Sequence, residues 1–364
     1  MIKADCLYYK GDKPCKFKIF CDGCSYYKPF PQKILVIKCR AQGDVLRTTA
    51  LLHGVKRKYP ESHISWLVDE ESLELLANNP FIDRVLPYRL EYIMPLIVEE
   101  FDVVISLDKE PPSTSVATLV KSPNKFGFGM NTLGNLIPFN TEAEYAYQLG
   151  IDDDLKFKQN TMTYQEIVAK TAEVEYKRDP YVFQIEKHHR KRAKDFFKKH
   201  NIPEDTLAIG LNTGAGVKFE TKQWPAENYL KLIDYLSESI EANIFLLGGK
   251  RETELNQSIE KNSKQKVCNT GNDNSLLEFA GFLSLMDIVV SSDTLGMHLA
   301  IAQEKKVVVL FGSTCPQEID LYGRGVKLYA GVDCSPCYKQ TCDDMKCMEE
   351  ITPEQVFEEI QKLV

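Results

Sequence analysis

Continuous apolar runs alternate with amphipathic stretches along most of the chain. In the first half, KILVIKC (33–39), HISWLV (63–68) and DVVISL (102–107) predict strands buried on both faces, with helices between them. The second half repeats the pattern, beginning with LAIGLN (207–212) and continuing to KVVVLFG (306–312). Strands that alternate with helices predict an α/β fold with parallel, doubly wound sheets.

The alternation breaks down between residues 142 and 205, where the chain is polar, and we place a domain junction there. A chain of 364 residues also exceeds the usual size of one hydrophobic core. Two α/β units predict a ligand cleft between them, at the carboxyl ends of both sets of strands. The predicted parts are a cysteine-rich N-terminal segment (1–32), a first α/β domain (33–185), a second α/β domain with a cysteine-rich loop at 334–347 (186–352), and a C-terminal helix (353–364).

Composition and charge narrow the class of protein. The chain is 43% hydrophobic and 27% charged, as expected of a globular enzyme. Its net charge of -7 argues against a nucleic-acid partner, which normally requires a basic excess. The N-terminus lacks the apolar core of a secretory signal, and no apolar run is long enough to span a membrane, so we expect a cytoplasmic protein.

The basic run KHHRKRAKDFFKKH (187–200) has two interpretations. It could contact an anionic membrane, which would place the protein at the cytoplasmic face of the inner membrane, or a phosphorylated acceptor. The alternative is that it forms the solvated face of a helix.

The first candidate site follows the first predicted strand, at Gln42-Gly43-Asp44. Asp44 would stand at the carboxyl edge of the sheet, facing the cleft, where a carboxylate could accept a proton from an attacking hydroxyl. The alternative is that Asp44 only caps a helix that begins at Val45.

The second candidate is the glycine-rich loop of NTGAGVKFETKQWP (212–225). Backbone N–H groups from Thr213, Gly214 and Gly216 could approach phosphate oxygens, and Lys222 adds a positive charge. An ordinary strand-to-helix turn is the alternative.

Two further loops follow later strands. In SSDTLGMHLA (291–300), Asp293 and Thr294 precede a helix whose free N–H groups and dipole favour a diphosphate. His298 could reach the cleft or be a half-buried structural histidine. After LLGG (246–249), which ends in Gly248 and Gly249, Glu252 could accept hydrogen bonds from ribose hydroxyls or simply begin a solvated acidic helix.

These loops together resemble those of glycosyltransferase family 9, the heptosyltransferases of lipopolysaccharide core synthesis. The resemblance lies in QGDVLRTTALL (42–52), TGAGVKFETKQWP (213–225), LLGG, SSDTLGMHLA and VVVLFGS (307–313). It implies the GT-B fold, two Rossmann-like domains facing across a cleft, with an N-terminal acceptor domain and a C-terminal nucleotide-sugar domain. It also implies an inverting transfer from a nucleotide diphosphate sugar such as ADP-heptose to a glycolipid or glycan, without a metal in catalysis.

The same resemblance assigns roles by position. Asp44 matches the proposed catalytic base, and Lys222 matches the lysine on the donor diphosphate. Glu252 is a weaker match to a ribose-binding glutamate. The predicted donor-binding residues are Thr213, Gly214, Gly216, Gly248, Gly249, Glu252, Asp293, Thr294, Gly296 and His298. Many family members have Gly directly after Asp-Thr, whereas Leu295 intervenes here before Gly296, which leaves the identity of the sugar open.

Eight of the eleven cysteines form two groups with four thiols each. The head group is Cys6, Cys15, Cys21 and Cys24, and the tail group is Cys334, Cys337, Cys342 and Cys347. Four thiolates suit a structural zinc or an iron–sulfur cluster. The alternative is reduced cysteines that serve as small apolar side chains. By resemblance, cysteines of the tail group occur in many members of the family, whereas a head group is absent from its best-known heptosyltransferases.

Two other functions stay open at this point. One is a nucleotide-sugar epimerase of the same architecture, which would act on the donor without an acceptor. The other is an inactive metal-binding module that has kept a transferase fold, against which the presence of both Asp44 and Lys222 argues.

Overall fold

Two six-stranded sheets form the framework of the protein. The structure is a computed structural model that describes residues 1–11, 13–203, 205–216 and 218–364. Asp12 of the head segment, Glu204 of the predicted junction region and Val217 of the glycine-rich loop lie outside the described residues.

The N-terminal sheet has the order β3-β2-β1-β4-β5-β6. Its strands pair in parallel, except for the antiparallel pair of β5 and β6. The strands are β1 Lys33–Ile37, β2 His63–Val68, β3 Arg84–Pro87, β4 Val103–Ser106, β5 Asn124–Met130 and β6 Leu136–Pro138.

The C-terminal sheet has the order β12-β11-β10-β7-β8-β9, and all of its strand pairs are parallel. In register, Ser291 of the central strand lies beside Asn212, so both strands end at the same edge of the sheet. The strands are β7 Leu207–Asn212, β8 Ala242–Leu247, β9 Cys268–Asn269, β10 Ile288–Ser292, β11 Lys306–Phe311 and β12 Gly325–Tyr329.

Helices cover both sheets. In the N-terminal half they are α1 Gln42–Thr48, α2 Leu51–Lys58, α3 Leu73–Leu76, α4 Leu90–Val98, α5 Pro111–Leu119, α6 Ala143–Gln148 and α7 Tyr164–Thr171. In the C-terminal half they are α8 Lys191–Lys199, α9 Ala226–Ser239, α10 Thr253–Asn262, α11 Leu276–Leu283, α12 Leu295–Ala302, α13 Lys346–Glu349 and α14 Pro353–Leu363. A π-helical turn at Leu155–Gln159 and short 3-10 turns, one of them at Glu220–Lys222, complete the elements.

The predicted doubly wound α/β architecture is confirmed, because the apolar runs form the central parallel strands. Strands β1 and β10 are almost entirely buried, which explains their uninterrupted apolar sequences. The pattern after the first strand predicts one helix from Val45 to about Tyr59, whereas the structure has two helices, α1 and α2, with a break at Thr49. The Thr49 hydroxyl donates to the Leu46 carbonyl at 2.6 Å and accepts from the Val182 N–H, so it ties this break to the distant chain.

Helices α1 and α12 bring the two halves together. Leu46 and Ala50 of the N-terminal half share one buried cluster with Met297 and Ala300 of the C-terminal half. Helix α7 contributes Val168 to the N-terminal core, whereas α14 packs on α9. The domain boundaries themselves stay a prediction.

The basic run forms helix α8, with Ala193 and Phe197 buried against the C-terminal core. Arg192, whose side chain is 39% exposed, pairs with Asp273 at 2.6 Å. This arrangement fits a solvated helix face, and contact with a membrane stays a prediction. Within the described ranges, none of the helices has both the length and the apolar character needed to cross a membrane.

Candidate active site

A cavity of about 280 Å³ lies where α1 of the first half meets the loops after β7, β10 and β11 of the second. Its lining includes many predicted site residues from both halves of the chain. These residues are Asp44, Gly216, Lys222, Asp293, Thr294 and His298. We call this space the central cavity. The structure thus brings together side chains that are as far apart in sequence as Asp44 and His298.

Asp44 is the third residue of α1. The helix begins at Gln42, and its N-cap is Ala41, which has no side-chain cap. The alternative that Asp44 caps a helix beginning at Val45 is therefore wrong. The Asp44 side chain is 37% exposed and faces the cavity.

Two cations flank the Asp44 carboxylate. Arg47, one helical turn later, pairs with it at 2.9 Å, and Lys38 lies 3.9 Å away. Burial would raise the pKa of Asp44, but Arg47 and Lys38 outweigh it and hold the pKa below its ordinary value. Asp44 is therefore a carboxylate at neutral pH and can accept a proton, at the cost of lower proton affinity than an unperturbed carboxylate.

Neither cation was among the predicted site residues. Lys38 directly follows β1, is buried and donates at 2.6 Å to Asp108, which follows the neighbouring strand β4 and fixes the position of the ammonium group. The Arg47 guanidinium lies 3.6 Å from the centroid of the Tyr164 ring. The spacing of Asp44 and Arg47, three residues apart on a helix, was the available signal for this pair.

Lys222 occupies the opposite side of the cavity. Its ammonium group donates to the Asp293 carbonyl at 2.8 Å and to the Asp293 carboxylate at 3.0 Å. Burial would raise the pKa of Asp293, but Lys222 and then His298 outweigh it and lower the pKa to about 2. This side of the cavity therefore holds a charged pair next to the start of α12.

His298 is buried between the two halves. Its Nδ1 lies 3.2 Å from the Tyr181 hydroxyl, and its Nε2 lies 3.9 Å from Asp293. Burial and then Arg47 lower the pKa of His298 to about 4, so the imidazole is neutral at pH 7. A Cβ at Gly43 would come within 2.6 Å of His298, so this contact requires glycine.

The remaining predicted donor-binding residues do not line the central cavity. Thr213 is fully buried and donates to the Asn256 side chain at 2.6 Å, while Gly296 faces Asn212 closely. The Glu252 carboxylate accepts a hydrogen bond from the Gly249 N–H at 2.8 Å, so it is paired with the backbone of its own turn. Gly214 and Gly248 lie beside Glu252, near enough that a Cβ at either position would contact it. Their role in donor binding stays a prediction.

A second cavity of about 380 Å³ adjoins the first on the N-terminal side, and we call it the side cavity. The two cavities share Asp44, Arg47 and Glu318 in their linings. The side cavity also exposes Lys109 and Lys156. Burial and then Lys156 lower the pKa of Lys109 to about 8. The Asp44 carboxylate therefore stands between two spaces, one of which is rich in amino groups.

The two cysteine groups differ in their exposure to solvent. The four head cysteines are half-buried and line one small cavity of about 30 Å³. In the tail group, Cys347 is buried, whereas Cys334 and Cys342 are exposed. Burial, and then the other tail thiols, raise the pKa of Cys347 to about 11. Among the described residues, no group of three or more His, Cys, Asp or Glu is arranged to hold a metal ion, so the metal stays a prediction.

Comparison with known proteins agrees with this geometry. The model of glycosyltransferase family 9 (heptosyltransferase) matches residues 90–348, which include Lys222, Asp293 and His298. The chain belongs to glycosyltransferase family 9. The resemblance that the sequence motifs suggested is confirmed.

Individual relatives and solved structures are similar to this family 9 chain. It is 33% identical over 162 residues to lipooligosaccharide heptosyltransferase 2 of Campylobacter jejuni, a match that covers 43% of this chain and 51% of that protein. The chain thus spans about half the length of this relative. A family 9 glycosyl transferase from Veillonella parvula has a similar structure, with a TM-score of 0.74 and 20% identity over 92% of this chain and 98% of the other.

The ADP-heptose LPS heptosyltransferase II of E. coli also has this fold. Its TM-score is 0.66 at 19% identity, and the match covers 91% of this chain and 98% of that chain. Two Rossmann-like units that face each other across a cleft, the GT-B arrangement, are therefore confirmed for this family 9 protein.

Proposed function

We propose that this protein is an inverting glycosyltransferase that moves a heptose-like sugar from a nucleotide diphosphate donor to a lipopolysaccharide core or related glycan. The observation that carries the proposal is the convergence of Asp44 and Lys222, from opposite halves of the chain, on one cavity. The names of the relatives, which are heptosyltransferases, support the donor and acceptor classes.

The proposed reaction follows from the placement of the two charges. An acceptor hydroxyl attacks the anomeric carbon from the side of Asp44, and the Asp44 carboxylate accepts its proton. The bond between the sugar and the diphosphate breaks on the opposite side, and the electron pair leaves with the diphosphate. A single displacement of this kind inverts the anomeric configuration and needs no covalent intermediate.

The C-terminal side of the cavity would stabilise the departing diphosphate. Lys222 carries a positive charge, and α12 begins without a side-chain cap from Thr294, so the backbone N–H groups of its first turn can meet phosphate oxygens. The existing pair of Lys222 with Asp293 holds the ammonium in the cavity before the donor arrives. Donor binding would then add phosphate contacts to a cation that is already positioned.

A transfer assay tests this proposal. Protein is mixed with ADP-heptose in the presence and absence of a lipopolysaccharide core acceptor, and ADP release is measured together with the anomeric configuration of the product by NMR. We expect ADP release that depends on the acceptor and an inverted product. Conversion of the donor without any acceptor would favour an epimerase, and no reaction with any nucleotide-heptose would contradict the proposal.

We also propose that each cysteine group holds one structural metal ion, and that this ion is zinc, which suits a set of four thiolates. The shared small cavity of the head cysteines supports the first site. Elemental analysis of reduced, anaerobically purified protein should find about one metal per group, and a chelator should lower its thermal stability. A brown colour with visible absorption would indicate an iron–sulfur cluster instead. Metal-free protein of full stability would contradict both sites.

A further inference from the structure

The tail cysteine loop, residues 334–347, reaches the wall of the central cavity through Tyr338. The backbone N–H groups of Cys337 and Tyr338 both donate to the Ser313 carbonyl, at 3.0 and 2.9 Å. Tyr338 has a φ of 53°, a conformation that is uncommon for a residue with a side chain. Such backbone is kept where surrounding contacts fix it, and it concentrates at functional sites.

The same loop is bonded to the segment that carries Lys222. The Thr221 hydroxyl donates to the Lys339 carbonyl at 2.7 Å, and the Glu220 N–H donates to the Gln340 carbonyl at 3.0 Å. The Phe219 ring meets the Tyr338 ring edge-on, with centroids 6.2 Å apart. Tyr338 is therefore fixed to the C-terminal side of the cleft by backbone and ring contacts.

From this position Tyr338 contacts the opposite half of the chain. Its ring is stacked on Phe157, with centroids 5.6 Å apart and an interplanar angle of 4°. The Lys156 ammonium lies 3.7 Å from the centroid of the Tyr338 ring, a cation–π distance. Both partners belong to the turn Leu155–Gln159, which has no buried residues of its own. The turn has no buried side chains to fix it, so its contacts with Tyr338 across the cleft help to hold it in place.

Lys156 lines the side cavity, whereas Tyr338 lines the central cavity. We propose that Tyr338 is a positioning residue, which holds Lys156 and its turn so that the side cavity is formed next to Asp44. This inference rests on the proposed function, and it assigns the acceptor to the side cavity, which lies on the N-terminal side and shares Asp44 with the central cavity. Tyr338 would then act on acceptor use through Lys156 and leave the nucleotide site largely unchanged.

Steady-state kinetics of Tyr338→Ala test this role. We expect KM for the acceptor to rise about tenfold, because a cation–π contact and a ring stack are lost, with less than about twofold change in ADP affinity by calorimetry. Tyr338→Phe keeps the ring and should behave as wild type. Lys156→Ala should reproduce the effect, and the double variant should be no worse than either single variant. Lys158→Ala, on the same turn but paired with Asp154, is the matched control.

Hydrogen exchange of residues 152–160 gives a readout that does not need sugar transfer. Tyr338→Ala should speed exchange in this turn, while Tyr338→Phe should not. Unchanged exchange, or a loss of ADP affinity as large as the loss of acceptor use, would overturn the positioning role. If wild-type protein transfers no sugar but the exchange result holds, the proposed function fails and the contact between Tyr338 and the turn survives.

Discussion

On the N-terminal side of the cleft, Asp44 lies between two cations, Arg47 and Lys38, whereas on the C-terminal side Lys222 lies against one carboxylate, Asp293. The first arrangement leaves a partly exposed anion that can accept a proton. The second arrangement leaves a cation that can bind an anion such as the donor diphosphate. The comparison indicates a division of roles, with proton transfer on one side and donor binding on the other.

Asp44→Asn, on the N-terminal side of the cleft, should have the largest effect on turnover. Loss of the general base should reduce turnover by about 100- to 10,000-fold, since the carboxylate is needed as the acceptor hydroxyl loses its proton. Steady-state transfer rates measure this effect. The control is Asp69→Asn, a carboxylate that follows the neighbouring strand β2 and pairs with Arg40 outside the central cavity. Wild-type turnover in Asp44→Asn would remove Asp44 from the mechanism.

Lys222→Ala, on the C-terminal side of the cleft, should impair use of the donor. We expect kcat/KM for the donor to fall by about 100- to 1,000-fold, because the cation faces charge that grows on the departing diphosphate. Lys231→Ala, on the exposed face of α9, is the matched control and should leave kcat/KM unchanged. A wild-type value for Lys222→Ala would show that Lys222 serves only its pair with Asp293.

The pH dependence of stability tests the buried histidine between the two sides. With a folded pKa of about 4 against an ordinary 6.5, His298 binds a proton in the unfolded state before it does so in the folded state. Stability should therefore fall as the pH drops from 6.5 to 4, by up to about 3 kcal/mol from this group.

Urea unfolding of wild-type protein and His298→Asn at pH 7 and pH 4 measures this contribution. The variant lacks the titrating group, so the stability difference between the two proteins should shrink by about 3 kcal/mol at the lower pH. An equal loss in both proteins would mean that other groups cause the acid sensitivity.

Gly43→Ala should have the smallest effect. The new methyl group would crowd His298 at the contact between α1 and α12, and overpacking of this kind costs about 1 to 2 kcal/mol. In His298→Ala protein the same substitution should cost less, because the crowded ring is gone. Equal costs in both backgrounds, measured by urea unfolding, would contradict the close approach of the two halves.

The sequence was informative where local pattern determines structure. Buried runs such as KVVVLF predicted their strands, because a strand covered on both faces is apolar throughout. Strands β5, β6, β9 and β12 were missed. Strands β6 and β9 are too short to show a pattern, and β5 and β12 are only partly buried, so neither is a continuous apolar run. The motifs also identified Asp44, Lys222 and Asp293, which the fold then brings to one cavity.

The rest of the site depends on contacts between distant segments. In the sequence, Lys38 is indistinguishable from the end of an ordinary strand. Only the structure shows that it pairs with Asp108, which follows β4. Tyr338 looks like part of a cysteine loop until the fold places its ring against Lys156. No local spacing encodes either pairing, so a single sequence could not predict them.

Calorimetric titration of ADP into Asp44→Asn and Lys222→Ala, side by side with wild type, tests the division of roles most directly. We expect ADP affinity to stay within about twofold of wild type in Asp44→Asn, because a general base acts only in the transition state. In Lys222→Ala we expect ADP affinity to fall about tenfold or more, because that charge contacts the diphosphate in the bound state as well. Equal losses of ADP affinity in both variants, or no loss in Lys222→Ala, would contradict the division of roles between Asp44 and Lys222.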